Sequence, residues 1–240
     1  MTETATIVCV SDTHCRLLQG QLPHGDILLH AGDFSNTGTL AEVQAFLHWL
    51  QQQPHRLKVV IAGNHDVSLD AAFYEHNWRR FHHTKEDAAA ARALLTNPAL
   101  ATTTSSNNSS SSILDFYASN SSSNSSSSSS NSRSYSSGIV YLENSGCLDA
   151  VTGLRFWGSP HTPEFCGWAF ATADAAAAAQ VWARIPPDTD VLLTQGPPAG
   201  VLDTNGSGSS CGCPQLAKAL ERLQPVLHAV YTGNDISSLL

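Results

Sequence analysis

Three short apolar runs, each ending abruptly in polar residues, constrain the fold of this chain more than any other feature of the sequence. The runs and the clusters that follow them are Thr6–Val10 before Ser11-Asp12-Thr13-His14, Asp26–His30 before Ala31-Gly32-Asp33, and Leu57–Ala62 before Gly63-Asn64-His65-Asp66. A short apolar run bounded by polar turn residues is typical of a buried strand. The sequence therefore predicts three strands whose ends carry three polar clusters.

A helix is predicted between the second and third strands. Thr39 and Glu42 have the spacing of a capping box, and apolar residues recur at helical intervals from Leu40 to Leu50. A strand, a helix and a strand in this order favour parallel pairing through a right-handed crossover. The chain is therefore predicted to have an α/β fold.

Further elements follow from the same patterns, with a turn at Asn144-Ser145-Gly146 between two of the strands. The predicted helices and strands are helix Glu86–Leu95, strand Ile139–Leu142, strand Leu154–Trp157, an alanine-rich helix Trp168–Ile185, strand Val191–Leu193, a helix starting at Pro214 and strand Val226–Tyr231.

A serine-rich tract interrupts these elements. Ser105–Ser137 contains 20 serines in 33 residues, and such a composition buries too little apolar surface to offset its ordering entropy. We expect residues 1–240 to form a single domain interrupted by a low-complexity, disordered insertion at 101–137. The remaining residues are enough for one core.

Charge and cysteine content exclude several classes of protein. The formal net charge is −8, from 12 Lys and Arg against 20 Asp and Glu, which argues against nucleic acid as a partner. No apolar run reaches the roughly 18 to 20 residues that span a bilayer, and residues 1–5 lack a signal-peptide pattern. Six scattered cysteines are expected to be reduced thiols. The sequence predicts a soluble cytoplasmic protein; its oligomeric state stays open.

The polar clusters have the chemistry of metal ligands. Asp12, His14, Asp33, Asn64 and His65 offer carboxylate, imidazole and amide donors, a mixture that suits manganese, iron or zinc better than calcium. An aspartate that bridges two cations about 3.5 to 4 Å apart fits a dinuclear site that activates water and neutralises phosphate. The sequence therefore predicts a metal centre at the strand ends.

The order Asp12-x-His14, Gly32-Asp33 and Gly63-Asn64-His65-Asp66, with each motif after an apolar strand, resembles the signature of the calcineurin-like metallophosphoesterases. Within that superfamily the chain resembles the branch of metallophosphoesterase domain-containing proteins. Further motifs that carry this resemblance are Trp157-Gly158-Ser159-Pro160, Thr162-Pro163-Glu164-Phe165, Trp168-Ala169-Phe170 and Gly196-Pro197-Pro198. The resemblance implies a four-layer α/β/β/α sandwich with a dinuclear site.

The same resemblance implies roles for individual residues. Asp12 and His14 would hold the first metal, Asp33 would bridge and Asn64 would hold the second. His65 would orient the scissile phosphate or protonate the leaving oxygen, and Asp66 would orient His65. His161 is a further candidate for substrate contact, and Trp168 is expected in the core or in the cleft wall.

The chain departs from the family pattern at three positions where the family has histidine ligands. Gln195 precedes Gly-Pro-Pro, and Asn234 and Ile236 stand in the final motif. Amide oxygens of Gln195 and Asn234 are weak substitutes, so two divalent ions are expected from the family but the second site is doubtful. Either the chain ends early, or the protein is a relative with one metal or none; both explanations stay open.

Three functions follow. The first is a metal-dependent hydrolase of small phosphate esters, chiefly phosphodiesters, in which a metal-bound hydroxide attacks phosphorus. The second is a catalytically impaired relative that binds phosphate or nucleotide. The third, ranked last, is an interaction protein that acts through Ser105–Ser137.

Overall fold

A computed structural model describes residues 4–16, 22–97, 138–206 and 208–230. The insertion predicted at 101–137 and the final-motif residues Asn234 and Ile236 lie outside these ranges. The helices and strands, with a 3₁₀ turn at Val67–Leu69, are β1 (Ile7–Val10), β2 (Ile27–Ala31), α1 (Leu40–Gln51), β3 (Leu57–Ile61), α2 (Ala71–Phe81), α3 (Ala88–Thr96), β4 (Ile139–Leu142), β5 (Ser145–Leu148), β6 (Arg155–Ser159), β7 (Thr162–Pro163), β8 (Ala171–Thr172), α4 (Ala175–Ala183), β9 (Val191–Thr194), α5 (Pro214–Leu223) and β10 (Leu227–Val230).

Two four-stranded sheets form the centre of the fold. In the first sheet the strand order is β1-β2-β3-β4 and every pair is parallel, as the predicted crossover requires. In the second sheet the order is β10-β9-β6-β5, and only β5 runs antiparallel. The ends of β1, β2 and β3 therefore meet at one edge of the first sheet, which we call the carboxyl edge.

The core is divided into three apolar layers by the alternation of side chains along the strands. Ile27 and Leu29 of β2 point toward the second sheet, whereas Leu28 packs on the opposite face beneath helices α1 and α3. Trp182 of α4 and Leu216 of α5 cover the outer face of the second sheet. The layers follow the order helix, sheet, sheet, helix, which confirms the predicted sandwich.

Helix α1 forms where the sequence predicts it. Thr39 caps the helix, and the reciprocal bonds of the capping box with Glu42 are both present. Val43, Leu47 and Leu50 are fully buried on one face of the helix. The same periodicity that predicts the helix therefore also anchors it on the first sheet.

The alanine-rich helix predicted at Trp168–Ile185 is wrong in its first turns. Helix α4 begins only at Ala175, after Asp174, whose side chain accepts a hydrogen bond from the backbone amide of Ala177. Phe170 has a φ of 56°, a left-handed conformation that no helix interior contains. The segment before Asp174 instead forms a loop and the short strand β8.

Helix α2 and strands β5, β7 and β8 have no counterpart among the predictions. Helix α2 is capped by Asp70; it buries Tyr74 fully, and Phe73, Trp78 and Phe81 are partly buried against the core. Strand β5 begins at Ser145, within the Asn144-Ser145-Gly146 segment for which the sequence predicts a turn. Ser145 and Gly146 belong to the strand because they pair with β6. In the described ranges, no helix combines the length and the apolar character that a bilayer crossing requires.

The opposite edge of the sandwich, which we call the amino edge, carries a partly buried ion pair between the two sheets. Arg56 precedes β3, and its guanidinium donates two hydrogen bonds of 2.8 Å to the carboxylate of Asp149, which follows β5. The hydroxyl of Thr152 donates a third bond of 2.6 Å to the same carboxylate. Asp149 is only 6% exposed, and both of its carboxylate oxygens have hydrogen-bond partners.

Candidate active site

The three predicted polar clusters meet at the carboxyl edge of the first sheet. Backbone amides of Asp12 and His14 donate to the carbonyl oxygens of Gly32 and Asp33 at 2.9 and 3.0 Å. The backbone amide of His65 donates to Oδ1 of Asp33 at 2.8 Å. The loops after β1, β2 and β3 are therefore joined to one another, with Asp33 at their centre.

The backbone at this edge is strained. Asp12, His14 and Asp33 have φ values of 54°, 41° and 53°, a region that costs a residue with a side chain about 1 to 2 kcal/mol. Gly63 is required for a different reason, since a Cβ there would lie 2.2 Å from Oδ1 of Asp33. Strain of this kind persists where a site needs a particular geometry, and here it falls on three predicted metal ligands.

The carboxylate of Asp12 is buried, and neither of its oxygens has a hydrogen bond of good geometry in the described part of the chain, although the side chain of Ser11 lies close enough to favour the charged form. Burial and then the neighbouring charge of Asp33 raise the pKa of Asp12 to about 8. Burial also raises the pKa of Asp33, which is 3% exposed. A cation at this position would supply the missing partner and favour the charged carboxylates.

The donors that surround Asp33 fit a divalent cation. Nε2 of His14 lies 3.9 Å from Oδ2 of Asp33, and ligand atoms of His14, Asp33 and His65 all lie within 4.8 Å of one another. Imidazole and carboxylate groups together suit zinc, iron or manganese. Buried unpartnered oxygens and convergent imidazoles therefore make this edge a candidate metal centre.

The imidazole of His65 is held on two sides. Its Nδ1 lies 3.1 Å from the carbonyl oxygen of Asn36, and its ring stacks on the indole of Trp168 with centroids 4.0 Å apart. The ring of His14 meets it edge-on at 4.7 Å. Burial lowers the pKa of His65, and the hydrogen bond to Asn36 opposes that shift.

Asp66 does not orient the ring of His65, as the resemblance implies, because its carboxylate points elsewhere. It accepts hydrogen bonds from the backbone amide and hydroxyl of Ser35 at 2.9 and 2.5 Å and from the amide of Gly63 at 2.8 Å. Asp66 is fully buried, and burial raises its pKa. It thus ties the loop after β3 to the loop after β2 and supports the site from below.

The remaining predicted residues are placed differently from one another. Asn64 and Gln195 line the cleft, and the side-chain amide of Gln195 donates to Oδ2 of Asp33 at 3.4 Å. The ring of His161 instead lies 3.4 to 3.5 Å from the side chains of Asn144 and Ser159, outside the lining of the cleft. A substrate contact by His161 stays a prediction.

A cleft of about 280 Å3 opens above these residues and has two kinds of wall. Its polar floor is formed by six of the predicted site residues: Asp12, His14, Asp33, Asn64, His65 and Gln195. Its other walls contain Thr162, Pro163, Phe165, Trp168, Ala169, Ala171, Gly196, Pro197, Asn205 and Cys211. Of these walls, only Trp168 is predicted from the sequence. The Thr162–Phe165 and Gly196–Pro198 motifs are the signals for the others, but strand patterns do not show which loops fold over the floor.

The comparisons with known proteins agree with this geometry. A sequence model of the calcineurin-like phosphoesterases matches residues 5–233. Metallophosphoesterase domain-containing protein 1 of Homo sapiens is 34% identical over 223 residues, which are 92% of this chain and 58% of that protein. A UPF0046 protein of Caenorhabditis elegans is 32% identical over 92% of this chain and 61% of its own length. The chain belongs to the calcineurin-like phosphoesterase family.

Another relative shows that this domain also occurs within a longer protein. A probable rhamnogalacturonate lyase C of Emericella nidulans is 34% identical over 92% of this chain, but the match covers only 16% of that protein. The chain spans about three fifths of the length of the human relative. The comparisons therefore establish the family, while the activity of the whole protein is a matter for proposal.

Proposed function

We propose that this chain hydrolyses phosphate esters with the help of a divalent cation and that its substrates are phosphodiesters. The observation that carries the proposal is the buried carboxylate of Asp12, which has no hydrogen bond of good geometry in the described part of the chain and stands on strained backbone beside His14 and Asp33. A folded protein keeps such a group where a cation completes it. A bound cation would supply Lewis-acid polarisation of the phosphate and activation of water.

The residues of the site divide the remaining work. Asp12, His14 and Asp33 would hold a first cation, and Asp33 is also the carboxylate that a second cation would share, with amide oxygens from Asn64 and Gln195. His65 presents its ring to the cleft, where it can orient the phosphate or give a proton to the leaving oxygen.

Two features of the cleft favour a diester over a monoester. No Lys or Arg lines the cleft in the described part of the chain. No cationic side chain there would therefore neutralise the second negative charge that a phosphate monoester carries. Phe165, which is 68% exposed, and Pro163 offer apolar surface to a second ester group. The net charge of −8 supports a small substrate over a nucleic acid, and six free cysteines support a reducing compartment such as the cytoplasm.

The test compares manganese-dependent hydrolysis of bis(4-nitrophenyl) phosphate by the wild type and by Asp33→Asn. We expect kcat/KM to fall at least about 100-fold in the variant, because the central carboxylate of the site is lost. Asp188→Asn, at an exposed ion pair with Arg155, is the matched control and should retain activity. Equal rates for wild type and Asp33→Asn would contradict the proposal. Faster turnover of 4-nitrophenyl phosphate would contradict the diester preference.

A second candidate function, binding of phosphate or nucleotide without turnover, is supported by Gln195. Its amide nitrogen donates to Asp33, so a neutral side chain contacts the carboxylate that two cations would share. An amide oxygen is a weaker ligand than imidazole for these metals. Calorimetric titration separates the two: manganese-dependent phosphate binding with no hydrolysis would favour this candidate.

A further inference from the structure

The ring of His65 is fixed from two directions by groups that lie far apart in the sequence. Because a carbonyl oxygen can only accept, the contact with Asn36 places the proton of the neutral ring on Nδ1. Nε2 has no hydrogen-bond partner among the described residues, and His65 lines the cleft. The indole of Trp168 covers one face of the ring at 4.0 Å, with an angle of 26° between the planes.

The loop that carries Trp168 is built to hold that indole in place. Arg80 of α2 donates one hydrogen bond of 2.7 Å to the carbonyl oxygen of Cys166 and another of 2.7 Å to that of Gly167. On the other side of Trp168, the backbone amide of Phe170 donates to Asp70 at 2.8 Å. The loop is therefore fastened to α2 immediately before and after the indole.

This loop also adopts costly backbone geometry. Cys166 and Phe170 have φ values of 53° and 56°, and a Cβ on Gly167 would lie 2.7 Å from the Arg80 guanidinium. A loop that only closed the chain between β7 and β8 would not need these conformations. These backbone conformations set the position of Trp168. Its indole also contacts the ring of Phe81, at a centroid distance of 5.2 Å.

We propose that Trp168 is a positioning residue, which holds the imidazole of His65 so that Nε2 faces the substrate. The terminal torsion of a histidine side chain is broad, so a single hydrogen bond to Nδ1 leaves the ring free to rock. A packed aromatic face restricts that motion, and a misplacement of about 1 Å can cost about 100-fold in rate. This inference rests on the proposed phosphodiesterase function for its kinetic test, but it also has a structural test.

The kinetic test measures bis(4-nitrophenyl) phosphate hydrolysis with manganese for Trp168→Leu and Trp168→Phe. We expect Trp168→Leu to lower kcat about 10-fold with KM changed less than about twofold, and Trp168→Phe to restore most of the rate, since a phenyl ring can still cover the imidazole. In a His65→Ala background, Trp168→Leu should cause no further loss. Trp78→Leu is the matched control, because Trp78 is a half-buried tryptophan of α2 that does not line the cleft.

Two kinetic results would overturn the inference. A rise in KM with unchanged kcat would assign Trp168 to substrate binding. An equal loss in the wild-type and His65→Ala backgrounds would show that Trp168 acts without His65. The effect of Trp78→Leu on the thermal midpoint shows how much stability an indole of this burial contributes, so that loss of folded protein is accounted for separately.

The structural test uses histidine ring 15N spectra of the metal-free protein and does not depend on turnover. We expect one His65 tautomer, with the proton on Nδ1, in the wild type and a mixture of tautomers in Trp168→Leu. An unchanged tautomer in the variant would overturn the inference. If the wild type hydrolyses no diester but the tautomer shifts as expected, the proposed function fails and the positioning by Trp168 stands.

Discussion

The two edges of the sandwich both carry buried aspartates, and they treat them in opposite ways. At the amino edge, Asp149 accepts three side-chain hydrogen bonds, and its partners, chiefly Arg56, lower its pKa to about 2. At the carboxyl edge, Asp12 has no hydrogen bond of good geometry among the described residues, and burial followed by the charge of Asp33 raises its pKa to about 8. The same type of side chain is held in an ion pair at one edge and lacks such a partner among the described residues at the other.

The backbone differs between the edges in the same sense. Beside the Arg56–Asp149 pair, left-handed conformations fall on Gly138 and Gly153, with φ values of 64° and 76°, where they cost little. At the carboxyl edge they fall on Asp12, His14 and Asp33, where each side chain adds to the cost. A costly conformation that coincides with a candidate ligand is therefore a better guide to the site than either feature alone.

The largest expected effect is that of Asp12→Asn. Loss of a group that only supports a metal ligand costs up to about 100-fold in activity. Because Asp12 itself would hold the cation, we expect activity to fall more than about 100-fold. In the presence of EDTA, the same variant should have a thermal midpoint about 2 to 4 °C above that of the wild type, since an uncompensated buried carboxylate is removed. Calorimetry of the EDTA-treated proteins measures this shift. A lower midpoint would mean that Asp12 is partnered in the folded protein.

The second effect is that of Asp149→Asn, for which we expect the reverse pattern. Loss of the carboxylate removes the two hydrogen bonds that Arg56 donates to Asp149 and should reduce the free energy of unfolding by about 2 to 3 kcal/mol, below the full cost of a buried pair because Arg56 is one-third exposed. Urea denaturation measures the change, and activity per folded molecule should be retained. Asp188→Asn, at an exposed pair, is the control and should cost less than about 1 kcal/mol.

The pH dependence of the same pair sharpens the comparison. The pKa of Asp149 is lower in the folded than in the unfolded state, so its stabilisation is present above about pH 4 and is lost as the pH falls toward about 2. The difference in stability between the wild type and Asp149→Asn should therefore be smaller at about pH 2.5 than at about pH 7. A constant difference across this range would refute the assigned role of the ion pair.

The smallest effect is expected for Arg80→Met, at the loop that carries Trp168. Two hydrogen bonds to backbone carbonyls are lost, and kcat should fall about threefold because the indole loosens over His65. Arg79→Met is the matched control on the same helix: its guanidinium lies over the ring of Trp78, away from the cleft. Steady-state kinetics of both variants give the comparison, and equal losses would count against the role of Arg80.

The sequence predicts the first sheet and the polar cluster at its carboxyl edge well, because parallel strands that end in polar residues bring those residues together. Asp12, His14 and Asp33 follow β1 and β2, and the structure places them at the same edge. The role of Asp66 is not predictable in this way. Adjacency to His65 indicates an interaction between the two side chains, whereas the fold turns the carboxylate toward Ser35.

The cleft walls are harder to predict, because they depend on contacts between distant segments. Alanine content indicates a helix from Trp168 onward, but the hydrogen bond from Phe170 to Asp70, together with the bond from Arg80 to the preceding Gly167, overrides that propensity. The sequence does not predict strand β5, because its residues, Ser145–Leu148, include glycine and serine. The strand is held in the sheet by its pairing with one neighbour, β6. Local patterns therefore predict the floor of the site, and tertiary contacts decide its walls.

The position of Gly138 has a consequence for how this domain tolerates added sequence. Its carbonyl oxygen accepts a hydrogen bond from the backbone amide of Lys58, two residues after Arg56, so the chain re-enters the first sheet at the amino edge after the segment that follows Asn97. This point of re-entry lies across the sheet from Asp12, His14 and Asp33. We therefore expect this connection to accept changes in length, fused reporters or affinity tags while the chemistry at the far edge continues undisturbed.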